Sequence, residues 1–377
     1  MRFVIFCLAT CVSVVLAAPS DIANRNFNNA HRALYTLDND PSGSKILALA
    51  LDGQTGQVSS PTLTSTGGNG LLGLNIGTPF GAAGTSAGPD ALFGQGAVVV
   101  SQNYLFVVNP GSHTLSLFVI RPWDPLHPQL VGRPVDTQGD FPTSVDYSVR
   151  RHRVACVLNG GSQGRTYAGV TGPPGTGSQV SFNPDGSAVL VTIKGAPGPP
   201  AVSGSLGMFS VNRRGDVSAT AVVSDRRLDY GLQHQFLGSN TVAMITDPTF
   251  GAAFVTIGSD LTVTETKHIS CPWQGAACWG AYSRRYDAAY VVDAGHPNIT
   301  VLDPTSGATK GVISYDAASK GGFDTVIDRQ WLYALTGDSS MLVVQLHGNG
   351  GQQAQKLSLA DYGTAGHWQG LAAWPLA

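Results

Sequence analysis

The chain has 377 residues, of which only 12% are charged, and its net charge is −2. Because lysine and arginine form no dense cluster, this balance disfavours a nucleic acid or an anionic membrane surface as partner. The 47 glycines and 22 prolines favour many turns and buried strands over exposed helices.

The first 17 residues have the pattern of a cleaved signal peptide. Arg2 provides a positive start, residues 4–16 are apolar but too short to span a bilayer, and small residues end at Ala17. We therefore predict a signal peptide over residues 1–17 and a single domain over residues 18–377. The protein is expected to be secreted and extracellular, without a membrane span.

A pair of short apolar runs joined by a polar turn repeats through the rest of the chain. Its clearest copy is AAYVVDAGHPNITVLDP at residues 288–304, where period-two apolar residues flank a turn and predict a β-hairpin. Further clear copies begin at Arg32, Tyr104, Thr241 and Trp331, and two weaker ones begin at Arg153 and Ala188.

Seven such units of about 50 residues predict an all-β, seven-bladed β-propeller, since one small sheet must stack on its neighbours to be buried. The first hairpin lacks an inner strand, whereas the last residues, from His367, resemble an inner strand without a hairpin. Pairing these ends would close the ring. Residues 159–180 are too few for two outer strands, so the third blade is expected to be truncated.

Two covalent modifications are suggested by the sequence. Cys271 and Cys278 are close enough along the chain to form a disulfide, and the alternative is two free thiols. Cys156 lies within an apolar strand and is expected as a buried thiol. Asn298 begins an Asn-Ile-Thr sequon, which predicts N-glycosylation in an exported protein.

The repeated segments also resemble a known family. LYTLDNDPSG, NYLFVVNPGSHTLSLF, DAGHPNITVLDP and KGGFDT are similar to secreted fungal carboxymuconate cyclase-like proteins of the lactonase-type seven-bladed propellers. This resemblance implies a central channel with a site at one mouth, where related cyclases use a His, a Glu and arginines. The single glutamate here, Glu265, lies in an expected outer strand, which departs from that pattern. Related fungal proteins also include catalysts of hetero-Diels–Alder ring closure in secondary metabolism.

Candidate site residues were sought in turns and strand entries expected at the channel mouth. Asn109, Asn159 and Asp293 are predicted to contact substrate, although local turn hydrogen bonding is the alternative for each. Lys194 occupies a position where other copies carry Asn or Asp. A lysine there could hold a carboxylate, phenolate or enolate.

The strand entries add residues for proton transfer and for ligand contact. His234 and His367 are candidate proton movers, and Asp324 is a candidate for orienting the ligand. An aromatic wall is predicted for a flat unsaturated ligand, with packing between blades as the alternative; it comprises Trp273, Trp279, Phe323 and Trp368. Neither a metal site nor a cofactor is predicted, and the missing GxSxG elbow disfavours serine hydrolysis.

Two functions follow as hypotheses. In the first, the propeller binds a small unsaturated organic molecule in its channel and promotes ring formation or ring opening, as a cycloisomerase, lactonase or pericyclic cyclase. In the second, it is a non-catalytic antigen or binding protein, with cell-wall components as possible partners. A channel lined by His, Lys and Trp favours the enzyme, and one plugged by Phe and Leu favours the scaffold.

Overall fold

The structure is a computed structural model that describes residues 32–77, 81–159, 170–172, 174–195, 202–225 and 230–375. The predicted signal peptide lies outside these residues. The described residues form strands joined by turns, and none forms a helix long and apolar enough to cross a bilayer.

Sheet 1 combines both ends of the described chain, and the next two sheets follow it in sequence. In spatial order, sheet 1 contains Trp368–Trp374, Arg32–Asp38, Lys45–Leu51 and Val58–Ser65. Sheet 2 contains Val98–Ser101, Tyr104–Asn109, Thr114–Arg121 and Asp124–Leu130, with Val135–Asp136 also paired to its third strand. Sheet 3 has two strands, Pro142–Ser148 and Arg153–Leu158.

The remaining four sheets are consecutive antiparallel units of four strands. Sheet 4 contains Gly177–Phe182, Ala188–Ile193, Ser205–Ser210 and Val222–Asp225. Sheet 5 contains Gln233–Phe236, Val242–Asp247, Gly251–Ile257 and Val263–Ser270. Sheet 6 contains Ala277–Ser283, Ala288–Asp293, Asn298–Leu302 and Thr309–Ser314. Sheet 7 contains Gly322–Asp328, Trp331–Thr336, Ser340–His347 and Gly350–Ser358.

The sheets are arranged around a central channel, and the β-propeller prediction is confirmed. The first strand of each sheet contacts the first strand of the next sheet. The ring is completed by contact between the first strands of sheets 7 and 1. Trp368–Trp374 pairs with Arg32–Asp38, so the predicted closure by the two ends of the chain is also present. The seam therefore has no free edge. A short parallel pair, Leu74–Asn75 with Thr171–Gly172, lies outside the seven sheets.

Burial along each strand reflects its place in a sheet. Every residue of Arg32–Asp38 is buried, because both faces of this inner region pack against neighbouring sheets. In contrast, the outer strand Val263–Ser270 alternates between buried and more exposed residues, since only one of its faces meets a neighbour. Full burial of one leucine contributes roughly 1.5–3 kcal/mol, so the inner strands supply most of the stabilisation.

Several inner strands carry a β-bulge near their first residues. The residue left out of pairing with the second strand is Thr143, Ser178, Cys278 or Asp324 in sheets 3, 4, 6 and 7 respectively. In sheet 1 the equivalent residue is Gly370. A bulge re-aims one side chain without shifting the rest of the register.

Candidate functional site

The channel mouth at the start of the inner strands is closed by part of the long loop after sheet 1. Residues 87–96, here called the channel plug, bury Leu92 and Phe93. The Gln369 side-chain amide donates to the Pro89 carbonyl at 2.6 Å. The plug thus occupies the mouth at which the sequence predicts the site.

Asp90 belongs to the plug. Lys194 and Asp324 lie beneath the plug and close to Asp90. The Lys194 ammonium donates to the Phe93 carbonyl and to Thr176 Oγ1, the latter at 3.1 Å. Burial lowers the pKa of Lys194 to about 7, and Asp90 opposes this shift. Burial also raises the pKa of Asp90 to about 6, and Lys194 opposes that shift. Their attraction therefore fastens the plug to sheet 4.

Asp324 is the bulged residue of sheet 7 and is 2% exposed. Its Oδ2 accepts a hydrogen bond from the Gly370 N–H at 2.6 Å. Burial raises the pKa of Asp324 to about 8, and the nearby Asp90 carboxylate adds to the shift. The structure thus brings together two predicted catalytic residues, together with Asp90, which the sequence analysis did not select. Of the two predicted residues, Lys194 contacts the plug, whereas Asp324 accepts its hydrogen bond from Gly370 outside it.

His234 lies further along the channel, in the first strand of sheet 5. Its Nε2 lies 2.7 Å from Ser181 Oγ, and its Nδ1 lies 2.6 Å from Thr192 Oγ1. Its backbone N–H donates to Gln179 Oε1 at 2.9 Å. Burial lowers the pKa of His234 to about 3, so the ring is neutral at ordinary pH.

A cavity of about 540 Å³ opens beside His234, at the channel end opposite the plug. Its wall comes from the first strands of sheets 4 to 7 and from the turns that follow them. The lining residues are Gln179, Ser181, Phe182, Pro184, His234, Gln235, Phe236, Gly238, Tyr282, Ser283, Arg284, Arg285, Ile327 and Arg329. The volume suits a small organic ligand.

The charge of this cavity is one-sided. Arg284, Arg285 and Arg329 line it, and no aspartate or glutamate is among the described residues of its wall. The Arg285 guanidinium lies 5.7 Å from the ring centre of Tyr286, which supports its position at the rim. Guanidinium groups without a carboxylate beside them favour a bound carboxylate or phosphate.

The side chains of the predicted aromatic wall do not line this cavity, and they do not all lie together. Trp279 and Phe323 pack with ring centres 5.8 Å apart, and Trp368 is buried in the same hydrophobic cluster. Trp273 is 42% exposed, and its Nε1–H donates to Thr300 Oγ1 at 3.0 Å. The first three side chains therefore serve packing between sheets, the alternative that the sequence left open.

The three predicted turn residues are held by hydrogen bonds to the protein itself. Asp293 accepts backbone hydrogen bonds from Gly275 and Ala276, both at 2.8 Å. Asn159 accepts from the Gly177 N–H at 2.6 Å, and Asn109 donates to Ser116 Oγ at 2.7 Å. Asn109 thus bonds across its own hairpin, as the alternative for turn residues implied, whereas these bonds of Asn159 and Asp293 connect second-strand ends to other segments.

His367 lies at the plugged mouth, apart from the cavity that contains His234. Its Nδ1 is 3.6 Å from Asp38 Oδ1, and the Asp38 carboxylate is buried. The two candidate proton movers therefore belong to different parts of the molecule.

The predicted disulfide is absent, because Cys271 and Cys278 are both buried free thiols. Cys271 packs in a cluster with Ala252 and Ile269, whereas Cys278 belongs to the cluster of Trp279. Their side chains thus occupy separate packing environments. Asn298, the predicted glycosylation site, begins the third strand of sheet 6 and is partly buried.

Cation sites were also considered. Within the described ranges, no group of three or more His, Cys, Asp or Glu side chains is arranged to hold a metal ion.

Comparison with known proteins places the fold. No protein-family model matches the chain, and no curated protein matches it significantly. A "putative 6-phosphogluconolactonase" from Bacteroides fragilis superposes with a TM-score of 0.63 at 11% identity, covering 93% of this chain and 99% of that one. The periplasmic gluconolactonase of Pseudomonas aeruginosa gives 0.60 at 14% identity, covering 92% and 100%.

The chain has the fold of lactonase-type β-propellers. A functionally unknown protein from Desulfotomaculum acetoxidans shares it, with a TM-score of 0.57 at 10% identity over 90% of this chain and 98% of that one. At such low identity the likeness concerns the architecture, so the chemistry of this propeller must be argued from its own cavity.

Recurring arginines are a signal in the sequence that could have indicated the cavity. Arginine follows the first strand of three units, as Arg150 and Arg151 in sheet 3, Arg284 and Arg285 in sheet 6, and Arg329 in sheet 7. Because equivalent turns of a propeller lie on one face, recurring arginines in this turn predict a positive end of the channel.

Proposed function

We propose that this protein binds a small organic anion in the arginine-lined cavity and promotes ring opening or ring formation of a lactone-type or unsaturated acid there. The observation that carries the proposal is a cavity of about 540 Å³ with Arg284, Arg285 and Arg329 in its wall. A carboxylate or phosphate at this rim would be held by charge-assisted hydrogen bonds.

The deeper wall supplies groups for chemistry on the rest of such a ligand. Ser181 and the neutral imidazole of His234 lie beyond the arginines, and Phe182 and Phe236 add apolar surface. A ligand anchored at the rim would therefore place its ring against hydroxyl, imidazole and aromatic groups. Fixing the ligand in this way is itself a source of rate enhancement.

The lactonase-type fold supports ring opening of a lactone over cycloaddition as the reaction. The same cavity is compatible with ring closure of an unsaturated acid, since either reaction depends on holding one charged end and excluding water.

A non-catalytic binding protein is the second candidate. The plugged mouth favours it, because Lys194 and Asp324 are buried beneath Leu92 and Phe93 and offer no open site. The plug of Leu92 and Phe93 thus meets the criterion for a scaffold, whereas the open cavity has His234 and three arginines in place of the expected lysine and tryptophan. We favour the enzyme because this cavity can hold an anionic ligand.

The number of blades and the secretion of the protein are also part of this proposal. We take the hairpin of Pro142–Ser148 and Arg153–Leu158 as a seventh, truncated blade, because its first strand lies between those of sheets 2 and 4. Secretion to the cell exterior rests on the sequence of residues 1–17.

A thermal-shift panel tests the binding proposal. Aldonolactones, their phosphorylated forms, muconates and phenols would be added to the purified protein. An anionic class should raise the melting temperature, by linkage worth about 2.7 kcal/mol at a hundredfold excess over Kd. The shift should be lost in Arg284→Ala/Arg329→Ala and kept in Arg133→Ala, an exposed arginine outside the cavity. No shift with any anion would contradict the proposal.

A further inference from the structure

Ser181, His234 and Thr192 form a continuous hydrogen-bonded chain that ends in the cavity. Ser181 Oγ lies 2.7 Å from His234 Nε2, and Thr192 Oγ1 lies 2.6 Å from His234 Nδ1. Ser181 is partly exposed and lines the cavity, whereas His234 and Thr192 are buried. Only the serine end of this chain is therefore free to meet a ligand directly.

This order of groups is that of an activated nucleophile. A serine hydroxyl becomes nucleophilic when an imidazole nitrogen within hydrogen-bond reach can accept its proton and a third group orients the ring. Such sets are recognised by geometry, since they occur on unrelated folds without a shared sequence motif. The missing GxSxG elbow therefore does not exclude serine chemistry in a propeller channel.

The surroundings of His234 keep its ring available as an acceptor. Its ring contacts Ser181, Thr192 and Phe236, which are uncharged, and burial holds its pKa low. A neutral ring whose Nδ1–H donates to Thr192 presents the Nε2 lone pair to Ser181. An anionic ligand in the cavity would favour the imidazolium that forms during reaction.

We propose that Ser181 is a nucleophile for acyl transfer from small esters or lactones, with His234 as its base and Thr192 as a positioning residue. This proposal rests on the anion site described above and adds a reaction to it. Ser181 Oγ bonds to the acyl carbon while its proton passes to His234 Nε2. The C–O bond of the ester or lactone then breaks, and the proton moves to the departing alkoxide oxygen. Water releases the acyl group by the reverse sequence.

The cavity contains its own control serine. Ser283 also lines the wall, but its Oγ accepts from the Tyr286 N–H at 3.4 Å, and no described imidazole lies within hydrogen-bond distance of it. Ser283 is also less exposed than Ser181, so activation by the imidazole is judged from the labelling rate of Ser181 in His234→Gln as well as from the comparison of the two serines.

Covalent labelling with a fluorophosphonate tests the assignment. The serine oxygen displaces fluoride from phosphorus, and the modified peptide is found by mass spectrometry. The wild type and Ser283→Ala should be labelled at Ser181, and Ser181→Ala should not be labelled. Thr192→Val should slow labelling and 4-nitrophenyl acetate hydrolysis about 100-fold if the ring loses its orientation, and Thr192→Ser should restore both. Melting temperatures of all variants would identify any loss of folding.

Labelling of Ser283 at the rate of Ser181, or no labelling of Ser181 in the folded wild type, would overturn the assignment. A labelling rate in folded His234→Gln equal to that of the wild type would also overturn it. Anion binding in Ser181→Ala separates the two proposals. If that variant binds the anion as the wild type does while Ser181 is inert, the nucleophile fails and the binding site stands. If no variant binds an anion, the binding proposal fails.

Discussion

Burial determines the charge state of the side chains that the sequence singles out as chemical groups. Asp324 is protonated and His234 is a neutral imidazole near neutral pH, because both lie in regions that disfavour charge. Their residue types were visible in the sequence, but their solvent exposure was not. Neither the neutral imidazole between two hydroxyls nor the position of Asp90 within the plug could be inferred from local spacing.

The raised pKa of Asp324 predicts a pH-dependent cost to folding. Its ordinary pKa is 3.8, and the folded value is about 8. The folded state therefore binds the proton more tightly, so stability is highest below pH 3.8 and is lost as the pH rises through 8. Asp324→Asn keeps an acceptor for the Gly370 N–H and removes the charge. It should raise the free energy of unfolding at pH 8 by at least about 1.4 kcal/mol, the equivalent of one pKa unit.

Denaturant unfolding at pH 4 and pH 8 measures this effect. The gain in the free energy of unfolding should be small at pH 4, because this pH lies only just above the unfolded pKa of 3.8 and little of the penalty has developed. Asp361→Asn, at an exposed position, should leave stability unchanged at both values. Equal effects of Asp324→Asn at the two pH values would show that its burial carries no charge penalty.

At the scale of strands and turns, sequence periodicity was a reliable guide. The hairpin predicted over residues 288–304 is present as Ala288–Asp293 and Asn298–Leu302. The closing pair of Arg32–Asp38 with Trp368–Trp374 was also predicted. The first hairpin lacked an inner strand, and the last residues resembled an inner strand without a hairpin. These features depend on alternation of apolar residues, which is a local property.

The bulges and the plug were not predictable in the same way. A β-bulge at Cys278 or Asp324 leaves that residue out of strand pairing. It changes the direction of one side chain without altering the apolar pattern around it. The plug has no periodicity, and its position depends on contacts with Lys194 and Gln369 from distant parts of the chain. Of the predicted catalytic residues, only His234 therefore lines the open cavity at the other end of the channel.

For the molecule as a whole, the ring seam includes a buried ion pair. Arg32 Nη2 lies 2.6 Å from Asp328 Oδ2 and also donates to the Pro375 carbonyl at 2.7 Å. Arg32 belongs to sheet 1, Asp328 ends the first strand of sheet 7, and Pro375 follows the last strand. One guanidinium thus connects both ends of the described chain to the neighbouring sheet.

Removing the charge of Asp328 should weaken closure of the ring. Asp328→Asn leaves the Arg32 charge buried beside a neutral amide, and we expect it to lower the free energy of unfolding by about 3 kcal/mol. Asp316→Asn removes an exposed partner of Lys356 at 3.3 Å and should cost less than about 1 kcal/mol. Urea unfolding of both variants makes the comparison. Similar small losses would mean that the seam is held by strand pairing and apolar packing alone.

For the whole molecule, we expect an anion to bind in the open cavity. A crystal structure of the protein with the most stabilising anion from the ligand panel tests it directly. We expect the ligand in the cavity, with its carboxylate or phosphate at Arg284 and Arg329 and its reacting end against Ser181. Ligand bound instead at the plugged mouth, beside His367 and Asp293, would contradict this account.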